Sequence, residues 1–131
     1  MEFLPSSWIH LLDSEADLLA SPFLEEEVNR ALFDLKPFKA PRADGLYMGF
    51  YQNCLSVVGD SFTNKVLDIL HTIVISGDLN KTLVALIPNC NGPESISQFK
   101  PISLYNTIYK TVKQVIVDRL SQVLPSIISP L

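Results

Sequence analysis

Two short stretches of this chain carry proline and cationic side chains together. Residues 35–46 read Leu-Lys-Pro-Phe-Lys-Ala-Pro-Arg-Ala-Asp-Gly-Leu, and residues 99–104 read Phe-Lys-Pro-Ile-Ser-Leu. Proline fixes φ, donates no backbone N–H and pushes its predecessor toward extended backbone. A helix through either stretch is therefore disfavoured, and the chain must be assembled from separate pieces joined by stiffened loops. Each stretch runs into an apolar, helix-like segment. A stiff cationic loop at a helix start suits phosphate, because side-chain charge and free N–H groups converge on one anion.

The pieces between the loops can be read from their periods. A helix is expected over residues 25–35: Glu25, Glu26 and Glu27 complement the dipole in its first turn, and Val28, Ala31, Leu32 and Leu35 share one face. Leu24 stands at its cap without a side-chain acceptor, and Lys36-Pro37 ends it. Residues 46–58 form a second expected helix with an aromatic face, closed by Gly59-Asp60 acting as stop and new N-cap. Residues 61–75 follow, with Phe62, Val66, Ile69, Leu70 and Ile73 on one stripe and Ser76-Gly77 as the stop. Residues 82–88 and 99–104 read as two antiparallel strands around a turn-rich connection. The last helix is expected over residues 106–124 with Ile108, Val112, Val115, Ile116 and Val123 inward, disrupted by Pro125 before an unanchored apolar tail. Residues 1–22 are poorly patterned, with Trp8, Ile9, Leu11 and Leu12 as a short helix or packing anchor. The expected fold class is α+β: three or four helices with a short two-stranded antiparallel hairpin.

Length allows one domain with a moderate core. The chain is 47% hydrophobic and 18% charged, the opposite balance to a disordered segment. Such apolar richness also fits a piece of a larger protein whose interface is exposed. The net charge of −4 argues against nucleic-acid binding when taken alone. Its distribution does not: residues 1–34 hold eight acids and one base, whereas residues 35–131 hold nine bases and six acids. Cys54 and Cys90 make no metal-ligand spacing and read as buried free thiols. No apolar run reaches the ~20 residues of a membrane span, and no leader opens the chain, so an intracellular protein, nuclear or cytoplasmic, is expected. His10 and His71 have no evident metal or catalytic partners. No activated-serine context and no phosphate-cradling glycine loop occurs among the five glycines.

Several blocks in one order carry a resemblance. They are Lys36-Pro37-Phe38-Lys39-Ala40-Pro41 with Asp44-Gly45-Leu46, Leu79-Asn80-Lys81-Thr82-Leu83-Val84-Ala85-Leu86-Ile87-Pro88, and residues 99–104 running into Tyr105-Asn106-Thr107-Ile108-Tyr109-Lys110. A last block is Val115-Ile116-Val117-Asp118-Arg119-Leu120. Together they resemble the reverse transcriptase of plant non-LTR (LINE-type) retrotransposons, over residues 23–131. The resemblance implies the fingers portion of an RNA-directed DNA polymerase, gripping an RNA template or RNA/DNA hybrid and closing over deoxynucleotides. It implies Mg²⁺ for full-length relatives, held by aspartates of a palm domain whose aromatic-Ala-Asp-Asp block is missing here. Two-metal phosphoryl transfer needs those carboxylates, so the chain is expected to be inactive by itself, with no catalytic residue, metal ligand or cofactor of its own. The alternatives are a non-enzymatic nucleic-acid-binding module and a helical interaction protein derived from a retroelement.

The resemblance also directs attention to particular cations. Lys36, Lys39 and Arg42 lie in the loop the family places near template entry, and Lys100 stands where an arginine commonly precedes Pro-Ile-Ser. Lys110 joins them on the last helix as a template or nucleotide-phosphate contact. A solvated face remains open for Lys36 and Lys39, and equally for the stripe of Lys110 and Lys113. Asn89 replaces a common lysine, Arg42-Ala43 a common Gly-Pro, and Tyr105 a common cysteine. Tyr105 and Tyr109, one turn apart, either stack on a base or pack in the core.

Overall fold

The computed structural model describes residues 11–36 and 48–128. Among them the chain forms five α-helices and one two-stranded sheet. The order is α1 (Asp13–Ala20), α2 (Glu25–Asp34), α3 (Met48–Asn53), α4 (Leu55–Thr72), β1 (Leu83–Pro88), β2 (Phe99–Leu104) and α5 (Thr107–Ile127). The α+β expectation holds, and α1 is added to it. No residue of α1 is buried, which is why its sequence carries no clear period. Trp8 and Ile9 lie outside the described residues, and Leu11 and Leu12 are exposed rather than anchoring anything.

Helix α2 forms as its sequence requires. Val28, Ala31 and Leu32 are fully buried, and Leu35 packs against the same core. The missing cap at Leu24 is offset by Glu27, whose carboxylate accepts the Leu24 N–H at 2.8 Å.

The break between α3 and α4 falls at Cys54, not at Gly59-Asp60, and α4 runs through both of those residues. A glycine inside a helix costs about 1 kcal/mol relative to alanine. Burial of Phe62, Val66, Ile69 and Leu70 along α4 outweighs that. Tyr51 and Phe62 hold α3 against α4, with ring centroids 5.1 Å apart.

At its other end α4 stops at Thr72, short of the expected Ser76-Gly77. Ile73 adopts the left-handed conformation, with φ 58°. The turn takes Ile73 off the apolar stripe and leaves it 88% exposed, contrary to its expected inward position.

Helix α5 begins at Asn106, whose Oδ1 accepts the Tyr109 N–H at 2.9 Å. Its Nδ2 donates to the Leu79 carbonyl at 3.1 Å, tying the helix start to the turn before β1. The helix continues past Pro125 to Ile127, so the proline does not end it. In the last turn a proline removes few intrahelical bonds, and the Val123 and Leu124 carbonyls accept from the Ser126 hydroxyl and the Ile128 N–H. The inward stripe is Val112, Val115, Arg119 and Val123, whereas Ile116 is exposed. The stripes of α2, α4 and α5 meet in one core.

Strands β1 and β2 pair antiparallel, from Leu83 opposite Leu104 to Pro88 opposite Phe99. Residues 83, 85 and 87 share a face with 104, 102 and 100 in that register. Ala85, Ile102 and Leu104 on this face are half-buried, while Leu83, Val84, Leu86 and Ile87 are exposed. The connecting turn is ordered by Gln98, whose Oε1 accepts the N–H groups of Glu94 and Ser95. Cys54 is half-buried and Cys90, in this turn, is exposed; both thiols are free, which corrects the buried expectation for Cys90. Among the described residues no helix is long and apolar enough to cross a membrane.

A β-branched residue in the left-handed region is strained by about 1–2 kcal/mol, and glycine is not. Ile73 contributes little burial, so Ile73→Gly is expected to raise unfolding stability by about 1 kcal/mol. Urea denaturation monitored by circular dichroism measures it, and a loss of stability would refute this account of the α4 terminus.

Candidate nucleic-acid interface

The structure separates the cations that the sequence grouped. Lys39 and Arg42, and the Asp44 turn, lie outside the described residues. Lys36 is exposed, immediately after Leu35 closes α2. Lys100 is exposed on β2 opposite Ile87. It lies four residues from Leu104, roughly 13 Å along the strand. Lys100 therefore marks the far end of the hairpin, away from the junction with α5. Asn89, at the same end, donates its backbone N–H to the Gln98 carbonyl at 2.7 Å and brings no charge. Lys81, in the turn before β1, is paired with Asp78 at 2.8 Å.

Lys110 lies elsewhere, half-buried in the second turn of α5. It lines a hollow of about 140 Å³ with Leu35, Tyr105, Lys113, Gln114 and Val117. Leu35 brings Lys36 to the same neighbourhood through the chain. Two groups of cations result: Lys100 on the hairpin, and Lys36, Lys110 and Lys113 around the junction of α2 and α5. Tyr105 and Tyr109 stack on each other, centroids 4.9 Å apart and rings inclined by 19°.

Arg119 is the residue whose importance the sequence reading missed. Its Nε and Nη2 grip both carboxylate oxygens of Glu27, at 2.7 and 2.8 Å. Nη1 donates to the Ser21 carbonyl at 2.6 Å, and Nη2 to the Pro22 carbonyl at 2.8 Å. The guanidinium carbon lies 3.9 Å from the centroid of the Phe23 ring. A planar fork with five donors suits this set of acceptors, and an ammonium does not. The sequence did hold a signal: Arg119 occupies the same helical stripe as Val112, Val115 and Val123, where a charge demands a partner. The Arg119 hydrogen bonds hold the Glu27 carboxyl below its ordinary value of 4.5, against a smaller opposing effect of burial.

Mg²⁺ chemistry requires converging carboxylates. Among the described residues no group of three or more His, Cys, Asp or Glu side chains is placed to hold a metal ion. The residues in view therefore do not fit a two-metal centre, and what they can offer a polyanion is positive charge, amide groups and aromatic faces.

No family model matches the chain. It is similar to the Transposon TX1 uncharacterized 149 kDa protein of Xenopus laevis, 28% identical over 112 residues. That similarity spans 86% of this chain and 9% of the longer protein. The chain thus resembles a small part of a transposon-encoded protein.

Removing one member of a buried ion pair typically costs about 3–5 kcal/mol. Because Glu27 keeps some solvent access, Arg119→Leu is expected at the lower end, near 3 kcal/mol, and Arg119→Lys to recover about half. Equilibrium urea unfolding of both variants checks this, and an unchanged midpoint would refute it. A lowered carboxyl pKa contributes stability above the unfolded value of 4.5, lost as pH falls through the folded value. Stability is thus expected to decline below pH 4.5. Glu27→Gln should flatten that limb in unfolding curves recorded at several pH values.

Proposed function

We propose that this chain is part of an RNA-directed DNA polymerase from a retroelement, of the LINE type that its sequence blocks resemble in plants. In this reading it supplies the fingers. The hairpin β1–β2, with Lys100 toward its tip, faces the RNA template or RNA/DNA hybrid and the incoming deoxynucleotide. The metal-holding aspartates and their Mg²⁺ belong to a palm domain in the rest of such a polymerase, so the chain alone binds and positions without catalysing. Its setting is intracellular, nuclear or cytoplasmic, where element RNA would be copied.

The observation that carries the proposal is similarity to a transposon-encoded protein across 86% of the chain. The strand–turn–strand–helix order of residues 83–127 supports it, because the resembling blocks fall on those elements in sequence.

One feature favours a second reading, an interaction module. Leu83, Val84, Leu86 and Ile87 expose roughly half their surface on the hairpin, and Ile116, Val117, Leu120 and Leu124 do so along α5. Apolar surface of this extent marks a contact with other protein. The two readings are compatible if fingers pack against the remainder of the polymerase.

Binding of a labelled RNA/DNA hybrid, followed by anisotropy between about 50 and 200 mM salt, tests the proposal. Affinity should fall with salt along a shallow slope of a few phosphates. Lys100→Glu should weaken it severalfold and reduce the slope by about one. Absence of binding at the lowest salt, or a slope near zero, would overturn the nucleic-acid reading. Primer extension on a poly-A template by the chain alone should yield no product, and incorporation above background would overturn the assignment of catalysis to the palm.

A further inference from the structure

We infer that the free edge of strand β1 pairs antiparallel with β1 of a second copy of this chain, giving a closed, two-fold symmetric dimer with a continuous sheet across it. The inference rests on the interaction reading of the apolar hairpin, and it names the partner and the register.

The phase of the ladder decides which backbone groups face outward. Asn89 donates its N–H to the Gln98 carbonyl at 2.7 Å, just beyond the last strand pair, Pro88 opposite Phe99. Hydrogen-bonded and non-hydrogen-bonded pairs alternate along an antiparallel ladder. Leu83, Ala85 and Ile87 therefore bond to β2, whereas Val84, Leu86 and Pro88 turn their backbone groups away from it. Both prolines agree with this phase. Pro88 and Pro101 fall in the non-bonded pairs, where a missing N–H costs the ladder nothing. Among the described residues, no hydrogen bond from outside the hairpin reaches the backbone of Val84 or Leu86.

The two edges of the hairpin are unequal. On β2 the outward positions are Phe99, Pro101 and Ser103. The Phe99 N–H is taken by the Ile96 carbonyl, and Pro101 has none, so that edge is blunted. On β1 both Val84 and Leu86 keep a donor and an acceptor. The side chains beside them, Leu83, Val84, Leu86 and Ile87, are all apolar and about half exposed. No charged residue lies between Lys81 and Glu94, so the strand lacks the lysine by which exposed edges commonly ward off pairing.

A second copy fits this edge reciprocally. With Ala85 on the two-fold axis, Val84 faces the partner's Leu86 and Leu86 faces the partner's Val84, each pair exchanging two hydrogen bonds. The Thr82 N–H meets the partner's Pro88 carbonyl, an acceptor that proline retains. On the other face of the pleat Leu83 packs against the partner's Ile87, so the four exposed apolar side chains cover one another. Lys81 falls opposite the partner's Asn89, and no like charges meet. Sliding the register to put Leu86 opposite itself would set Val84 against a proline without an N–H and leave its carbonyl unpaired. Growth past two copies would need the blunted β2 edge, so the pair closes.

A single strand pair, roughly 20 Å long, is small beside the ~1,200 Å² of a stable interface, so the dimer is expected to be weak, half-formed near about 0.1 mM. Sedimentation equilibrium of the full chain at about 10 to 500 µM brackets that range. Reducing agent keeps the exposed Cys90 from forming a disulfide. Val84→Lys combined with Leu86→Lys sets like charges opposite each other and should weaken the dimer at least about tenfold. Val84→Glu combined with Leu86→Lys sets opposite charges there and should restore it, with the restored dimer weakening as salt rises. Circular dichroism checks each fold. If either variant does not fold, amide hydrogen exchange of the unsubstituted chain carries the test. The Val84 and Leu86 N–H groups should gain protection as concentration rises, while Ala85 and Ile87 hold theirs throughout. A dimer in which neither Val84 nor Leu86 gains protection would overturn the β1 edge and leave the interaction reading to another face. A monomer at every concentration, with fast-exchanging Val84 and Leu86 amides, would overturn self-pairing and leave the open edge to a different protein. A monomer whose Val84 and Leu86 amides are already as slow as those of Ala85 and Ile87 would remove both, because the chain would then cover its own edge.

Discussion

The Arg119 guanidinium joins parts of the chain that nothing local could bring together. Its acceptors at Ser21, Pro22 and Glu27 lie 92 to 98 residues earlier in sequence. A charge this deeply placed is tolerable only when every donor is occupied. Helix α5 can therefore settle against α2 only when the α1–α2 connection has folded around the guanidinium. Apolar packing of Val112 and Val115 against Val28 and Leu32 gives that docking its driving force but is indifferent to small sliding. The bidentate fork to Glu27 is not indifferent, because two parallel hydrogen bonds fix both position and rotation of the helix. The hollow at the other end of the α2–α5 contact takes its shape from that alignment.

Much of this architecture was legible because burial and period coincide. Val28, Ala31 and Leu32 on α2, and Phe62, Val66, Ile69 and Leu70 on α4, are spaced as helical stripes and all are buried. The hairpin was legible for another reason, two short strand-like runs flanking a turn-rich connection, whereas its register, with Pro101 opposite Leu86, is set by the structure. What escaped the reading is what tertiary structure decides. The chain turns at Cys54 because aromatic contacts of Tyr51 fix α3 against α4, and Gly59 is carried along inside a longer helix. Ile73 continues the stripe by spacing alone, yet the backbone reverses hand there and takes it out.

The exchange of Ile116 for Arg119 is the most instructive miss. Hydrophobicity assigned the inward position to Ile116, whereas geometry assigns it to Arg119, four residues after Val115 and four before Val123. A charged residue within an apolar stripe is evidence for a remote acid. Glu27 was visible as a helix-dipole residue, but no spacing rule links positions 92 residues apart. The candidate site fared similarly. Lys110 lines a hollow together with Lys113, Lys36 only follows its wall residue Leu35 in the chain, and Lys100 stands apart on the hairpin. The role of Leu35 as a wall could not be read from a sequence in which it simply ends a helix.

A chain of net charge −4 meets a polyanion only if its negative groups are elsewhere or engaged. Both conditions apply in part. Glu27 is neutralised by Arg119, and Asp78 by Lys81. Glu25 and Glu26 sit at the opposite end of α2 from the lysines. The remaining field near α5 is slight, and slight fields give little steering and little non-specific affinity. Recognition then has to come from contacts that act at short range.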